Sequence, residues 1–139
     1  MIKFTDEMRE RISTAFKDEK FCVWATASKD GVPSISIRGS TYVWDDNHLA
    51  FWERSRQSGA EHIEDNPYVV MFYLDYKGKV GWRFYGEATL YKEGEMRKKI
   101  MERTIKAELD KDPERKGYWV LIRINRIRRY SGDQVLQER

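Results

Sequence analysis

The sequence predicts a mainly β protein, an antiparallel barrel or sandwich of six strands with helices packed outside it or across its ends. Three observations carry this. Short runs rich in β-branched and aromatic residues recur along the chain, turn signals separate them at hairpin spacing, and only three stretches read as helices. With 139 residues, no linker, no low-complexity segment and no internal repeat, the whole of 1–139 reads as one domain.

The first element is a helix. Thr5 caps it, Asp6 and Glu7 suit the positive end of its dipole, and Met8, Ile12, Ala15 and Phe16 fall on one face. "FCVWATAS" alternates as a strand, and Lys29-Asp30-Gly31 is a tight turn. The longer strand "PSISIRGSTYVW" puts Ile35 and Ile37 on one side and Ser34, Ser36 and Arg38 on the other, with a bend or bulge at Gly39. Asp45-Asp46-Asn47 turns into "HLAFWE", the third strand. "YVVMFYLDY" is short and apolar enough for a buried strand, and Lys77-Gly78-Lys79 leads into "VGWRFYGEATLY". A helix over 93–109 buries Met96, Ile100, Met101, Ile105 and Leu109 and stops at Asp112-Pro113. "GYWVLIRINRIRRYSG" is the last strand, followed by the polar tail "DQVLQER".

Composition excludes several classes. The 26 basic and 23 acidic residues leave a net charge of +3, too little to argue for nucleic acid. The single Cys22 rules out an internal disulfide framework, reads as a buried inert thiol, and fits a reducing, cytoplasmic setting. No run reaches the ~20 apolar residues of a membrane helix. His48 and His62 lie in different elements without ligand spacing, so no metal site is expected, and no G-x-S-x-G elbow occurs. Aromatic residues, at 14%, are abundant and need partners in a core, at an interface or against a planar ligand.

The segment "FWERSRQSGAEHIEDNP" (51–67) is the candidate site. It runs from a strand into a helix-like turn, where unpaired N–H groups favour an anion. Ser58 and Gly59 sit at that junction, Gln57 offers an amide, and Arg54 and Arg56 offer charged donors. Ser58 as a plain helix cap with solvated arginines is the competing reading. A second donor set, Ser34, Ser36 and Arg38, would converge with the first if the strand carrying Phe51 pairs with theirs. Tyr42, Trp44 and Trp52 read as core or as a border for a planar ring. Arg83 reads as a surface strand residue, and Arg123, Arg126, Arg128 and Arg129 as solvated faces and a rim.

The order of "VWATASKDGVPSISI", "LAFWE…SGAEHIEDNPYVVMFY" and "WRFYGEATLY" resembles the pyridoxamine-phosphate-oxidase-like family, the FMN-binding split β-barrels. The short helix ending at Ile63-Glu64-Asp65-Asn66-Pro67, the Asp30-Gly31-x-Pro33 turn and Gly86-Glu87-Ala88 carry the resemblance, which extends to Gly132. It implies a homodimer with flavin sites at the interface. Phosphate would be held by Arg38, Gln57 and Ser58, with Ser36 and Arg56 in support, and Trp52 and Glu53 would offer mainly backbone beside the ring. The family usually carries a basic residue at or next to Gly59, and its absence keeps a deazaflavin open as the alternative to FMN. The arginine–histidine–arginine ending of the vitamin-B6 oxidases is missing, since no histidine follows His62. Pyridoxamine phosphate is therefore disfavoured, and two histidines support a haem-degrading role no better. The implied activity is a flavin-dependent oxidoreductase meeting a small-molecule substrate or electron donor, with no catalytic side chain assigned. A non-enzymatic flavin carrier, store or sensor is the second class, and a small-barrel nucleic-acid module using the terminal arginines the third.

Overall fold

A computed structural model describes residues 1–54 and 60–139. In chain order the elements are α1 (Asp6–Thr14), β1 (Cys22–Ala27), β2 (Pro33–Arg38), β3 (Tyr42–Val43), β4 (His48–Glu53), β5 (Tyr68–Asp75), β6 (Val80–Tyr91), α2 (Gly94–Arg103), α3 (Lys106–Leu109), β7 (Tyr118–Arg129) and β8 (Val135–Glu138). All strands belong to one antiparallel sheet in the order β2-β1-β5-β6-β7-β4-β3, with β8 added to β7. The sheet curls into a split barrel.

The sheet has eight strands rather than six. The long strand expected over 33–44 breaks at the Gly39–Ser40 corner into β2 and β3, which lie at opposite ends of the strand order. The expected polar tail contains β8, whose Glu138 pairs with Arg126 at 2.6 Å. Only tertiary pairing makes it a strand, because its own residues are largely exposed.

Two apolar layers follow from strand alternation. Inside the curl, Trp24, Leu49, Phe51, Met71, Phe84 and Ile122 pack with Ile2, Phe4, Met8 and Ile12 from the N-terminal segment. Thr5 caps α1 as the sequence predicts, its side chain accepting from the Met8 N–H. On the other face of β4 and β7, Ala50, Trp52 and Trp119 meet Ile100 of α2, with Tyr42, Trp44, Met96, Met101 and Leu109 at the margin. Tyr42, Trp44 and Trp52 are therefore partners of the helical layer.

The helix expected over 93–109 is interrupted. Thr104 adopts an extended backbone between α2 and α3, and Ile105 is 39% exposed rather than buried. Asp112 anchors this region to β4. It accepts from the Trp52 indole Nε1 at 2.9 Å and from the backbone N–H groups of Lys116 and Gly117 at 3.0 and 2.7 Å. Arg97 of α2 lies over the Trp52 ring, 4.8 Å from its centroid, and donates to the Gly117 carbonyl at 2.9 Å.

Between Tyr85 and Gly86 the β6–β7 register shifts, and Asn125 is left over on β7. A Cβ on Gly86 would lie 2.3 Å from the Arg123 carbonyl oxygen, so only glycine permits this approach. The outer face of β2, β1 and β5 is apolar: Ile37 stands beside Val23 and Phe72, and Ile35 beside Ala25 and Val70. Ile35 is 72% exposed and Ile37 60%. Among the described residues no helix is long and apolar enough to cross a membrane.

Two consequences are measurable. Burial opposes ionisation of Asp112, but the Lys116 N–H, the Trp52 indole and the Gly117 N–H outweigh it and hold the carboxyl below its ordinary range. Its contribution is therefore present above the unfolded carboxyl value of about 3.9 and is lost as pH falls through the folded value. Urea unfolding at pH 7 should find Asp112→Asn less stable by about 1–3 kcal/mol, with the gap to wild type narrowing towards pH 3. Gly86→Ala should cost about 1–3 kcal/mol in the same measurement, because the backbone of β7 must give way.

Candidate functional site

β2 is an edge strand with its alternation reversed from the usual pattern. Its apolar side chains, Ile35 and Ile37, face outwards, while Ser34, Ser36 and Arg38 are half-buried against the inside. Antiparallel register sets Ser36 opposite Trp24 and Arg38 opposite Cys22. The Ser36 hydroxyl and the Trp24 indole nitrogen are buried, and neither has a hydrogen-bond partner among the described residues. Such groups are costly unless an acceptor or a water meets them.

Arg38 lies between aromatic walls, its guanidinium 5.2 Å from the Trp24 ring centroid and 5.6 Å from that of Phe51. Its Nη2 is 2.6 Å from Glu53 Oε2, in a pair whose side chains are 10% and 2% exposed. Nη1 donates to the Ile37 carbonyl at 2.7 Å. Burial draws the guanidinium down from its ordinary value, Glu53 opposes that, and Arg54 adds to it. Burial also pushes the Cys22 thiol up to about 12, which makes it a poor nucleophile.

The two donor strands do not pair as the sequence reading supposed. β4 lies between β7 and β3, and β2 pairs with β1. Convergence is achieved differently, by the corner. The Ser40 hydroxyl accepts from the Trp52 N–H at 2.9 Å and donates to the Trp52 carbonyl at 3.2 Å, so it extends the β3–β4 ladder by one rung. Thr41 closes the turn by donating from Oγ1 to the Arg38 carbonyl at 2.7 Å. This brings Arg38 to Glu53 across the seam between the sheet's two ends.

Beside the seam is an opening of about 360 Å³, lined by Arg38, Ser40, Glu53, Arg54, Glu108 and Lys111, with apolar contributions from Phe21 and Ile37. Glu108 pairs with Lys111 at 3.1 Å and approaches Gly39 so closely that a Cβ there would lie 2.8 Å from its Oε1. A volume at the low end for small-molecule pockets suits one end of a larger ligand.

Of the residues the sequence singled out, Arg38 and Glu53 meet at the seam and line the opening, while Ser36 shares the inner face of β2 but does not line the opening. Trp52 turns its ring to the opposite layer, where Asp112 and Arg97 hold it, and only its backbone faces the corner. Arg56, Gln57 and Ser58, like Gly59, lie outside the described residues. The helix expected to end at Pro67 is turn rather than α-helix over the described residues 60–65. Arg83 donates to the Arg129 carbonyl at 2.9 Å and to that of Gly132, stapling β6 to the end of β7. The terminal arginines are engaged: Arg123 with Glu87 at 3.1 Å, Arg126 with Glu138, and Arg129 with Ser131 and Tyr130. Among the described residues no cluster of three His, Cys, Asp or Glu is placed to hold a metal ion.

Sequence reading missed Ser40 and the Arg38–Glu53 pair. A signal for the pair was present, since Glu53 has the strand parity of Leu49 and Phe51, and a carboxylate on a buried face demands a cation.

Residues 4–129 match the family model for pyridoxamine 5'-phosphate oxidase. The chain belongs to that family. Solved structures similar to it include Group A Streptococcus HupZ (TM-score 0.74, 23% identity, 96% of this chain and 99% of that one). An FMN-binding protein from Syntrophomonas wolfei is similar too (TM-score 0.61, 14% identity, 92% and 89%). So is an F420 reductase (TM-score 0.56, 17% identity, 78% and 89%). At these identities the structures establish the shared fold. No curated protein sequence matches the chain.

Proposed function

We propose that this member of the family is a homodimeric FMN-binding protein of the cytoplasm that acts as an oxidoreductase. The observation that carries the reading is the inward polar row of β2: a buried Ser36 hydroxyl without a partner among the described residues, and the Arg38 guanidinium reaching a small opening. These groups fit a phosphate ester, which needs a cation and several donors when taken out of water. Arg38 would hold the phosphate and Ser36 donate to it. Gln57, Ser58 and Arg56 would add donors from the segment that follows β4, and the backbone of Trp52 and Glu53 would lie beside the ring. Bound flavin supplies hydride or electron transfer. The chain's part is to bind, orient and shield it, and no side chain is assigned as acid or base.

The dimer is supported by the outer face of β2, β1 and β5. Contiguous exposed apolar side chains on paired strands mark a protein interface, and here Ile35, Ile37 and Tyr68 are all exposed. A second copy on this face would also enlarge an opening too small for a whole flavin nucleotide. The F420 reductase among its structural neighbours keeps a deazaflavin as the second reading.

The first test is an absorbance spectrum of the purified protein with mass identification of the released ligand. Flavin bands and FMN are expected, the mass of a deazaflavin selects the second reading, and a protein that takes up neither overturns both. Stopped-flow mixing with NADH or NADPH should then reduce the bound flavin, whereas no reduction by any donor identifies a passive carrier. Ser36→Ala should leave the melting temperature unchanged yet weaken FMN about fivefold, measured by fluorescence titration. Light scattering should find the wild type dimeric and Ile35→Glu monomeric, since a charge on that face would be buried in the pair.

A further inference from the structure

Glu53 is the feature of the site that a phosphate-binding role does not explain. It is the most buried carboxylate among the described residues, at 2% exposure, and its Oε2 sits 2.6 Å from the same guanidinium that would hold the phosphate. Arg38 is held beside it, with the Trp24 and Phe51 rings flanking the guanidinium and the Ile37 carbonyl accepting from Nη1. A phosphate brought to Arg38 is thus also brought close to Glu53, so that two anions meet at the same guanidinium. In a poorly hydrated setting that repulsion is large. A second carboxylate, Glu108, lines the same opening and pairs with Lys111, so among the described residues there both Arg38 and Lys111 already have an internal anion.

We infer that Glu53 is a built-in counter-anion that competes with the ligand's phosphate for Arg38, and so sets how strongly this site discriminates a phosphorylated flavin from its phosphate-free nucleoside analogue. The inference rests on the flavin reading above. Its physical logic is a trade. Glu53 keeps the buried guanidinium compensated when nothing is bound, because an uncompensated one is strongly destabilising. The same compensation subtracts from phosphate affinity. Glu53 acts on Arg38 and on the incoming charge, so it is a specificity-determining residue rather than a catalytic one.

The experiment compares FMN with riboflavin, which differ by the phosphate alone, on wild-type protein and on Glu53→Gln. The substitution keeps the shape and an acceptor for Arg38 while removing the charge. Titration by flavin fluorescence quenching should give FMN at least tenfold tighter binding to E53Q than to wild type, with riboflavin within threefold. Melting should show a larger FMN-induced rise in E53Q than in wild type. If E53Q unfolds on its own, added FMN should restore its cooperative melting and riboflavin should not, because the phosphate takes the place of the missing carboxylate. E53Q binding FMN no tighter, gaining equally for both flavins, or remaining unfolded with saturating FMN overturns the inference, while wild-type FMN binding leaves the flavin reading standing. If wild type and E53Q bind neither flavin, the flavin reading itself falls, and this inference with it.

Discussion

The ion pair between Arg38 and Glu53 is the contact on which the arrangement of this protein turns. It joins the last residue of β2 to the last residue of β4, two strands that are not neighbours in the sheet. A pair this buried is weak evidence for net stability, since desolvation consumes most of the attraction. Its value is geometric. The contact ties the end of β2 to the end of β4 across the seam.

Around that pair the corner is built from short polar groups. Ser40 hydrogen-bonds both ways with the Trp52 backbone, and Thr41 returns a hydroxyl to the Arg38 carbonyl. Gly39 makes room for Glu108, which carries the α3 region to the edge of the opening. On the far side of β4, Asp112 and Arg97 fix the Trp52 ring from below. The strand that forms the floor of the site is therefore clamped on both faces. Rigid elements of this kind position a ligand better than loops do, and the proposed role asks the protein mainly for positioning.

Edge strands usually place polar groups outward to discourage association. β2 does the opposite, and the inversion serves two ends. Its polar row faces the inside of the curl and its apolar row is exposed, which in the proposed function would serve the phosphate and a second copy. On the proposed reading one strand serves both the cofactor site and the dimer face, with the exposed isoleucines one residue away from the polar row.

What the chain's own order of residues determined is the β-rich class, the cap of α1, the hairpin turns and the opposition of Ile35 and Ile37 to Ser36 and Arg38. These follow from local periodicity and turn chemistry, which any stretch of a dozen residues displays. The family was legible too, because Asp30-Gly31-x-Pro33, Ile63 to Pro67 and Gly86-Glu87-Ala88 fall at the right spacings. Tertiary structure decided the rest. It broke the 33–44 strand at Gly39, interrupted the 93–109 helix at Thr104, recruited β8 from a polar tail, and chose β3 and β7 rather than β2 as the neighbours of β4. It also set Glu53 against Arg38. The reason is common to all of these: strand partners and buried charge pairs join residues far apart in sequence, and their energies depend on which faces the curl of the sheet brings together, a quantity no local window contains.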